Sequence, residues 1–244
     1  MVFETIHGTL RQTNLANESD EYLKKREELR LAELDLMRHR ERVAAMRRAL
    51  PQGATIQDYE FQEGPRDLNA GDTPVRSVRL SELFSAPGRT LVVYHFMYGK
   101  KQTNACPACT LLLDGLNGIA HQLDQNIDYV VMAAAEPAAL RTYARKRGWD
   151  KTRLLSAGAG TFKFDLGSED PEGRQDSTIS VFTRDADGTI RHFYTGHPWM
   201  ASDVKERGLD LITPAWTILD LTPQGRGDWR PKLEYPKKSQ ASGA

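Results

Sequence analysis

Apolar residues fall along this chain in two different rhythms. Between residues 20 and 50, Tyr22, Leu29, Ala32, Leu36, Val43, Met46 and Leu50 recur at three- and four-residue intervals, interrupted at Lys25 and His39 and surrounded by charge. That spacing predicts one long helix. Ser19 is its N-cap, Asp20 and Glu21 put negative charge at the favourable end, and Pro51 and Gly53 stop it. Acids alternate with bases throughout the helix, which argues against a nucleic-acid surface. Two placements suit the stripe: against its own domain, or against a second copy of the chain in a homodimer.

Beyond residue 90 the rhythm changes to short continuous apolar runs. Leu91 to Tyr98 and Ile127 to Ala133 read as buried parallel strands. A helix from Cys106 carries Leu111, Leu112, Leu113, Leu116, Ile119 and Leu123, with Gly115 and Gly118 each weakening it by about 1 kcal/mol relative to alanine. Glu136-Pro137 opens another helix that Gly148 stops. Residues 154–158 form a short strand and turn. Two further strands, 178–183 and 189–194, are joined through Asp187-Gly188, a hairpin signal. Upstream, Tyr59 to Phe61 and Ser77 to Leu80 are short strands, and Ser81 to Phe84 is one helical turn.

Strand, helix, strand, helix, hairpin is the order of an α/β domain with a thioredoxin-like central mixed sheet flanked by helices. The long N-terminal helix is appended to it. The expected division is an arm and helix over 1–50, the thioredoxin-like domain over 51–226, and a flexible tail over 227–244. Trp149, Trp199, Trp216 and Trp229 are expected to pack rather than hold a cofactor.

Composition narrows the function. The chain has 244 residues, and its 33 basic and 33 acidic residues cancel, so no global field recruits a polyanion. No stretch approaches the roughly 20 apolar residues of a membrane span. The N-terminus lacks a basic segment followed by an apolar run, which gives a cytoplasmic expectation. In a reducing compartment a close cysteine pair is catalytic or metal-binding more often than structural.

The only two cysteines form Cys106-Pro107-Ala108-Cys109, where an apolar strand gives way to a helix. With Cys106 as N-cap, Pro107 takes the first helical position, where its missing N–H costs nothing. Cys109 then lies over the first turn, close enough to pair. Free N–H groups at the helix start favour a thiolate on Cys106. Cys106 would attack and Cys109 resolve. Lys100 and Lys101 in the preceding loop could add positive charge or simply be solvated, and His95 on the strand could exchange a proton or, as buried histidines more often do, sit in the core on a backbone partner. Asp114 on the helix is read as a solvated or locally bonded acid. The other readings are an inert buried pair, or a zinc site completed by His192 and His197 across more than eighty residues. No phosphate loop, dinucleotide fingerprint or H-E-x-x-H is present, so neither cofactor nor metal is expected.

The strand Leu91 to Gly99 followed by Cys106-Pro107-Ala108-Cys109 resembles a bacterial thioredoxin-like family known largely as a domain of unknown function. Further matching pieces are Arg47 to Pro51, Tyr143 to Trp149, Ser180-Val181-Phe182, Arg207 to Asp210 and Leu219 to Pro223, collinear over residues 20–226. The resemblance implies thiol–disulfide exchange. Three departures from thioredoxins stand out. Ala105 replaces the tryptophan before the first cysteine, and proline is the first intervening residue rather than the second. No proline precedes the hairpin strand, where Ser177-Thr178 stands instead, making Thr178 the candidate substrate-facing residue. Peroxiredoxins are a second resemblance: Thr103 sits three before Cys106 as their motif asks, but Gly99 stands where their proline belongs. An arginine that lowers the thiol pKa would then come from Arg184 or Arg153. Three functions follow as expectations. The first is a thiol–disulfide oxidoreductase acting on a disulfide substrate and regenerated by a cellular thiol reductant. The second is a peroxidase acting on peroxide. The third is a non-catalytic binding or assembly module.

Overall fold

The computed structural model describes residues 15–198, 201, 203, 213–225 and 227–234. Most of the expected N-terminal arm lies outside the described residues, as do Trp199, Arg207 to Asp210 and the tail beyond residue 234. The chain divides into two units, Met1–Pro51 and Gln52–Ala244.

Within the first unit, α1 spans Asp20–Arg48, and the Ser19 side chain accepts a hydrogen bond from Tyr22 N–H at 3.2 Å. None of its residues is buried, and Tyr22, Leu29, Leu36 and Met46 are exposed. The predicted stripe therefore contributes no buried face. Pairs at i,i+3, such as Lys25–Glu28 at 2.8 Å and Arg30–Glu27 at 2.6 Å, line the helix surface instead. Each such exposed pair contributes only about 0.2–0.5 kcal/mol.

The second unit is built on a seven-stranded sheet. Its strands are β1 (Glu60–Glu63), β2 (Arg76–Arg79), β3 (Thr90–Phe96), β4 (Ile127–Ala133), β5 (Arg153–Ser156), β6 (Thr178–Arg184) and β7 (Ile190–Gly196), in the spatial order β2-β1-β5-β4-β3-β6-β7. Strands β3, β4 and β5 are parallel, while β6 runs antiparallel to β3 and β7 to β6. Parallel neighbours need crossovers, and α2 (Pro107–Leu123) and α3 (Pro137–Arg147) supply them. This order, β4-β3-β6-β7 with a helix between β3 and β4, is the thioredoxin-like topology expected from the sequence. The β1–β2 hairpin extends the sheet past β5. Glu63 is fully buried there, accepting from Arg153 Nε at 2.7 Å and Arg76 Nη2 at 2.5 Å.

Strand alternation divides the core into two layers. Tyr94 and Phe96 pack with Leu112, Val131 and Trp149 under α2 and α3. Leu91 and Val93 pack with Phe61, Met132 and Phe162 on the opposite face. Each such fully buried side chain is worth about 1.5–3 kcal/mol. Trp149 and Trp216 are buried and Trp229 meets Trp216 edge to face, in keeping with packing roles. Asp114 joins the two crossover helices by accepting from Trp149 Nε1 at 2.8 Å and Arg147 Nε at 3.2 Å. Two short helices escaped the sequence reading: α4 (Phe162–Asp165) and α5 (Ala215–Leu219). Among the described residues, no helix is long and apolar enough to cross a membrane.

α2 runs unbroken through Gly115 and Gly118, and a Cβ at either would meet nothing within 4 Å. Neither glycine permits a close approach, so both carry only their entropic cost. Replacing either with alanine should raise stability by about 0.5–1 kcal/mol, read as a higher thermal midpoint.

Candidate active site

The site is assembled where β3 ends and α2 begins, at the carboxyl edge of the parallel strands. The chain first makes a tight turn. Gly99 N–H donates to the Gln102 carbonyl at 2.7 Å, and Gln102 N–H donates to the Gly99 carbonyl at 2.9 Å. Gly99 has φ of 104°, and a Cβ there would lie 2.1 Å from the Ala135 nitrogen. Proline, with φ fixed near −65°, cannot occupy this position. The departure from the peroxiredoxin pattern is thus demanded by this turn.

Cys106 follows in extended conformation as the N-cap of α2, and Pro107 is the first helical residue. Its N–H donates to the Met97 carbonyl at 3.1 Å, tying the helix start to the strand end. The Cys106 carbonyl accepts from both the N–H and the hydroxyl of Thr110, each at 2.9 Å. Cys106 is partly exposed, Cys109 is 3% exposed, and both thiols are free.

The two sulfurs sit in opposite electrostatic conditions. The Cys109 thiol donates to the Cys106 sulfur, and the N–H groups of Cys109 and Ala108 add two further donors. Burial and the nearby Asp176 carboxylate oppose them, and the balance brings Cys106 from 9.0 down to about 6. That same hydrogen bond, together with burial, pushes Cys109 well up. At neutral pH the pair is a thiolate at 106 and a thiol at 109.

A side chain from another element completes the surroundings of Cys109. Tyr94 of β3 hydrogen-bonds both the Cys109 sulfur and, at 2.8 Å, the Ser177 hydroxyl just before β6. Burial holds the Tyr94 phenol protonated. Lys163 of α4 is 1% exposed, and its amine has no hydrogen-bond partner among the described residues. Burial pulls its pKa from 10.5 down to about 7, against the attraction of Cys109, Glu169 and Asp176. Nothing in the sequence reading selected Lys163. Its one legible signal is a lysine bracketed by Phe162 and Phe164.

Other expected site residues are placed elsewhere. His95 lies on the face of β3 opposite Tyr94, stacked on Phe162 at 5.4 Å, and Nε2 meets the Ser180 hydroxyl at 3.0 Å. Burial lowers its pKa well below the usual range, so the ring is neutral. It is a core residue, held by a side-chain hydroxyl rather than a backbone group, and the adjacent Tyr94 is the β3 side chain that faces Cys109. Thr178 is buried opposite His95 in register, and its hydroxyl bonds that of Ser168. Thr103 is exposed in the loop. Lys100 pairs with Glu169 at 2.5 Å and Lys101 is exposed. Arg184 donates to the Ser81 carbonyl at 2.8 Å and covers the Phe84 ring, while Arg153 is held by Glu63. Neither arginine serves the dithiol. His192 bonds Thr195 at 2.7 Å and His197 pairs with Asp176 at 2.7 Å. Among the described residues, no group of three or more His, Cys, Asp and Glu side chains converges to hold a metal.

The model of a family described as a bacterial protein of unknown function, DUF899, matches residues 11–241. No curated protein matches the chain. Among solved structures, reduced Prx3 from Vibrio vulnificus in complex with hydrogen peroxide is 16% identical, with 66% of this chain and 94% of that one covered at a TM-score of 0.42. Mycobacterium tuberculosis AhpC is 16% identical, with 67% and 89% covered at a TM-score of 0.45. Enterococcus faecalis AhpC is 12% identical, with 66% and 87% covered at a TM-score of 0.45.

Alkylation by iodoacetamide should report the thiolate directly. The rate at Cys106 should follow a titration with midpoint near 6, at which Cys109 remains protected. Cys109→Ala removes the donor thiol, and the midpoint should climb toward the free-cysteine value of about 8.5.

Proposed function

The chain belongs to the DUF899 family of bacterial proteins, and we propose that it is a thiol–disulfide oxidoreductase with Cys106 as nucleophile and Cys109 as resolving thiol. The observation that carries this reading is the placement of the free Cys106 and Cys109 on the first turn of α2, Cys106 partly exposed as N-cap and Cys109 buried behind it. That placement brings the Cys106 thiol down to about 6, through the Cys109 thiol and the N–H groups of Cys109 and Ala108.

The Cys106 thiolate attacks one sulfur of a substrate disulfide. A bond forms between Cys106 and that sulfur, the substrate S–S bond breaks, and the second substrate sulfur leaves as a thiolate. Cys109, once deprotonated, attacks the Cys106 sulfur. That step forms the Cys106–Cys109 disulfide and releases the remaining substrate thiolate, so two electrons have passed to the substrate. A cellular thiol reductant returns them to the protein. Tyr94, anchored on Ser177, keeps the buried Cys109 sulfur hydrogen-bonded. Cys106 is the partly exposed member, as an attacking thiol requires.

Peroxide is the competing substrate, since a low-pKa thiolate can be oxidised to a sulfenic acid that Cys109 would condense onto. The geometry favours disulfide exchange. Both candidate arginines are committed to Glu63 and Ser81, and the thiolate is set by Cys109 and two backbone donors rather than by Thr103.

With dithiothreitol as electron donor, the wild-type protein should reduce insulin disulfides. Cys106→Ser should abolish that turnover. Cys109→Ser should trap a mixed disulfide on Cys106, visible as the added mass of the substrate thiol. Inertness of the dithiol toward oxidised glutathione, combined with loss of both thiols within seconds to one equivalent of hydrogen peroxide, would overturn this assignment in favour of a peroxidase.

A further inference from the structure

We propose that Tyr143 is a positioning residue for the attacking sulfur, acting from α3 through the Thr110 hydroxyl on the backbone of Cys106. The proposal rests on the reading of Cys106 as nucleophile and adds to it what holds that residue in place.

Thr110 is an unexpected residue for its position. It is 2% exposed and stands among the buried residues of α2 with Leu112 and Leu113. Valine has nearly the same shape, and a hydroxyl taken out of water is costly unless it is hydrogen-bonded. The Thr110 hydroxyl has two partners, the Cys106 carbonyl at 2.9 Å and the Tyr143 hydroxyl at 2.9 Å. Proton counting fixes the direction of both bonds. A carbonyl only accepts, so Thr110 spends its single proton on Cys106, and Tyr143 must donate to Thr110. The phenol keeps the proton it needs for this. Burial, with Asp114 and Tyr98, outweighs Thr110 and Arg147 and raises it above its ordinary 10.

Both ends of this relay are held. The Tyr143 ring lies 5.4 Å from that of Trp149, 5.7 Å from Tyr98 and 6.0 Å from Phe96 between centroids, so packing fixes where its hydroxyl points. At the other end the Cys106 carbonyl also accepts the Thr110 N–H at 2.9 Å, which fills both of its lone pairs. The Cys106 N–H is already spent on the Met97 carbonyl at 3.1 Å. The backbone of the attacking residue is thereby fixed on both sides, with its sulfur kept on the N–H groups of Ala108 and Cys109. A threonine that bonds the carbonyl four residues back is a local habit of helices. The Tyr143 hydroxyl turns it into a tie between α2 and α3.

The test follows alkylation of Cys106 against pH in the full chain. Cys109 and Asp176 also face that sulfur, and their contribution is common to every variant compared. In the wild type the midpoint lies near 6. Tyr143→Phe deletes one oxygen at a half-buried site and should raise the midpoint by about half a unit, about threefold in the ionisation constant. Thr110→Val breaks both links and should raise it by about one unit, about tenfold. The double variant should match Thr110→Val alone, because Tyr143 acts only through Thr110. Thr110→Ser keeps the hydroxyl and should recover most of the shift.

An unchanged midpoint in Tyr143→Phe would overturn the assignment, as would a double variant whose shift is the sum of the two single shifts. A role in packing alone would lower the thermal unfolding midpoint and leave the titration where it is. Tyr143→Phe keeps the ring, so its titration decides the matter even where Thr110→Val fails to fold. A wild-type midpoint at the free-cysteine value of about 8.5 would overturn the nucleophile reading itself, which separates the two failures.

Discussion

One pairing, of the Cys109 thiol with the Cys106 sulfur, sets the two cysteines of this protein apart. It forms because α2 starts at Cys106, because Pro107 sets the first helical turn, and because Cys106 N–H is fastened to the Met97 carbonyl at the end of β3. The same contact that makes one sulfur a thiolate keeps the other a thiol. The asymmetry follows from where the two residues stand: one at the rim of the turn and partly in water, the other a turn deeper against Tyr94. Two identical side chains acquire opposite acidities from the position of a single helix terminus.

Much of this was legible in the chain because the signals are local. Ser19, Cys106 and Gly148 each mark a helix boundary through cap chemistry that depends on immediate neighbours, and all three hold. The apolar runs at 91–98 and 127–133 are consistent with buried strands, and they form the parallel pair Thr90–Phe96 and Ile127–Ala133. What was not legible depends on tertiary placement. Alternation says that Tyr94 and His95 face opposite sides of β3, but not which side receives α2. His95 is core, the more favoured of its two readings, but its partner is the Ser180 hydroxyl rather than a backbone group. Lys163 was hidden for a related reason: α4 has only four residues, too few to form a helix without its packing, so no periodicity announces it. The stripe on α1 illustrates the reverse case, a real spacing that corresponds to no buried face.

The departures from better-known relatives also become structural statements. Gly99 is required by its left-handed backbone and by the approach of Ala134-Ala135. Where thioredoxins carry a proline ahead of the hairpin strand, this chain carries Ser177 and Thr178. Their hydroxyls are spent internally on Tyr94 and Ser168. That segment reaches Cys109 through Tyr94, and the loop before it carries the Asp176 carboxylate, which opposes the lowering of the Cys106 thiol.

The position of the proline within the dithiol has its own consequence. With Pro107 first, Ala108 retains its N–H, and that N–H is one of the two backbone donors on the Cys106 sulfur. A proline in the second place would delete that donor. Every donor on the thiolate stabilises the dithiol form relative to the bridged form, and a stabilised dithiol makes its disulfide a stronger oxidant. The order of two small residues thus fixes how many backbone donors reach the Cys106 sulfur, and the reversed order would leave it one fewer.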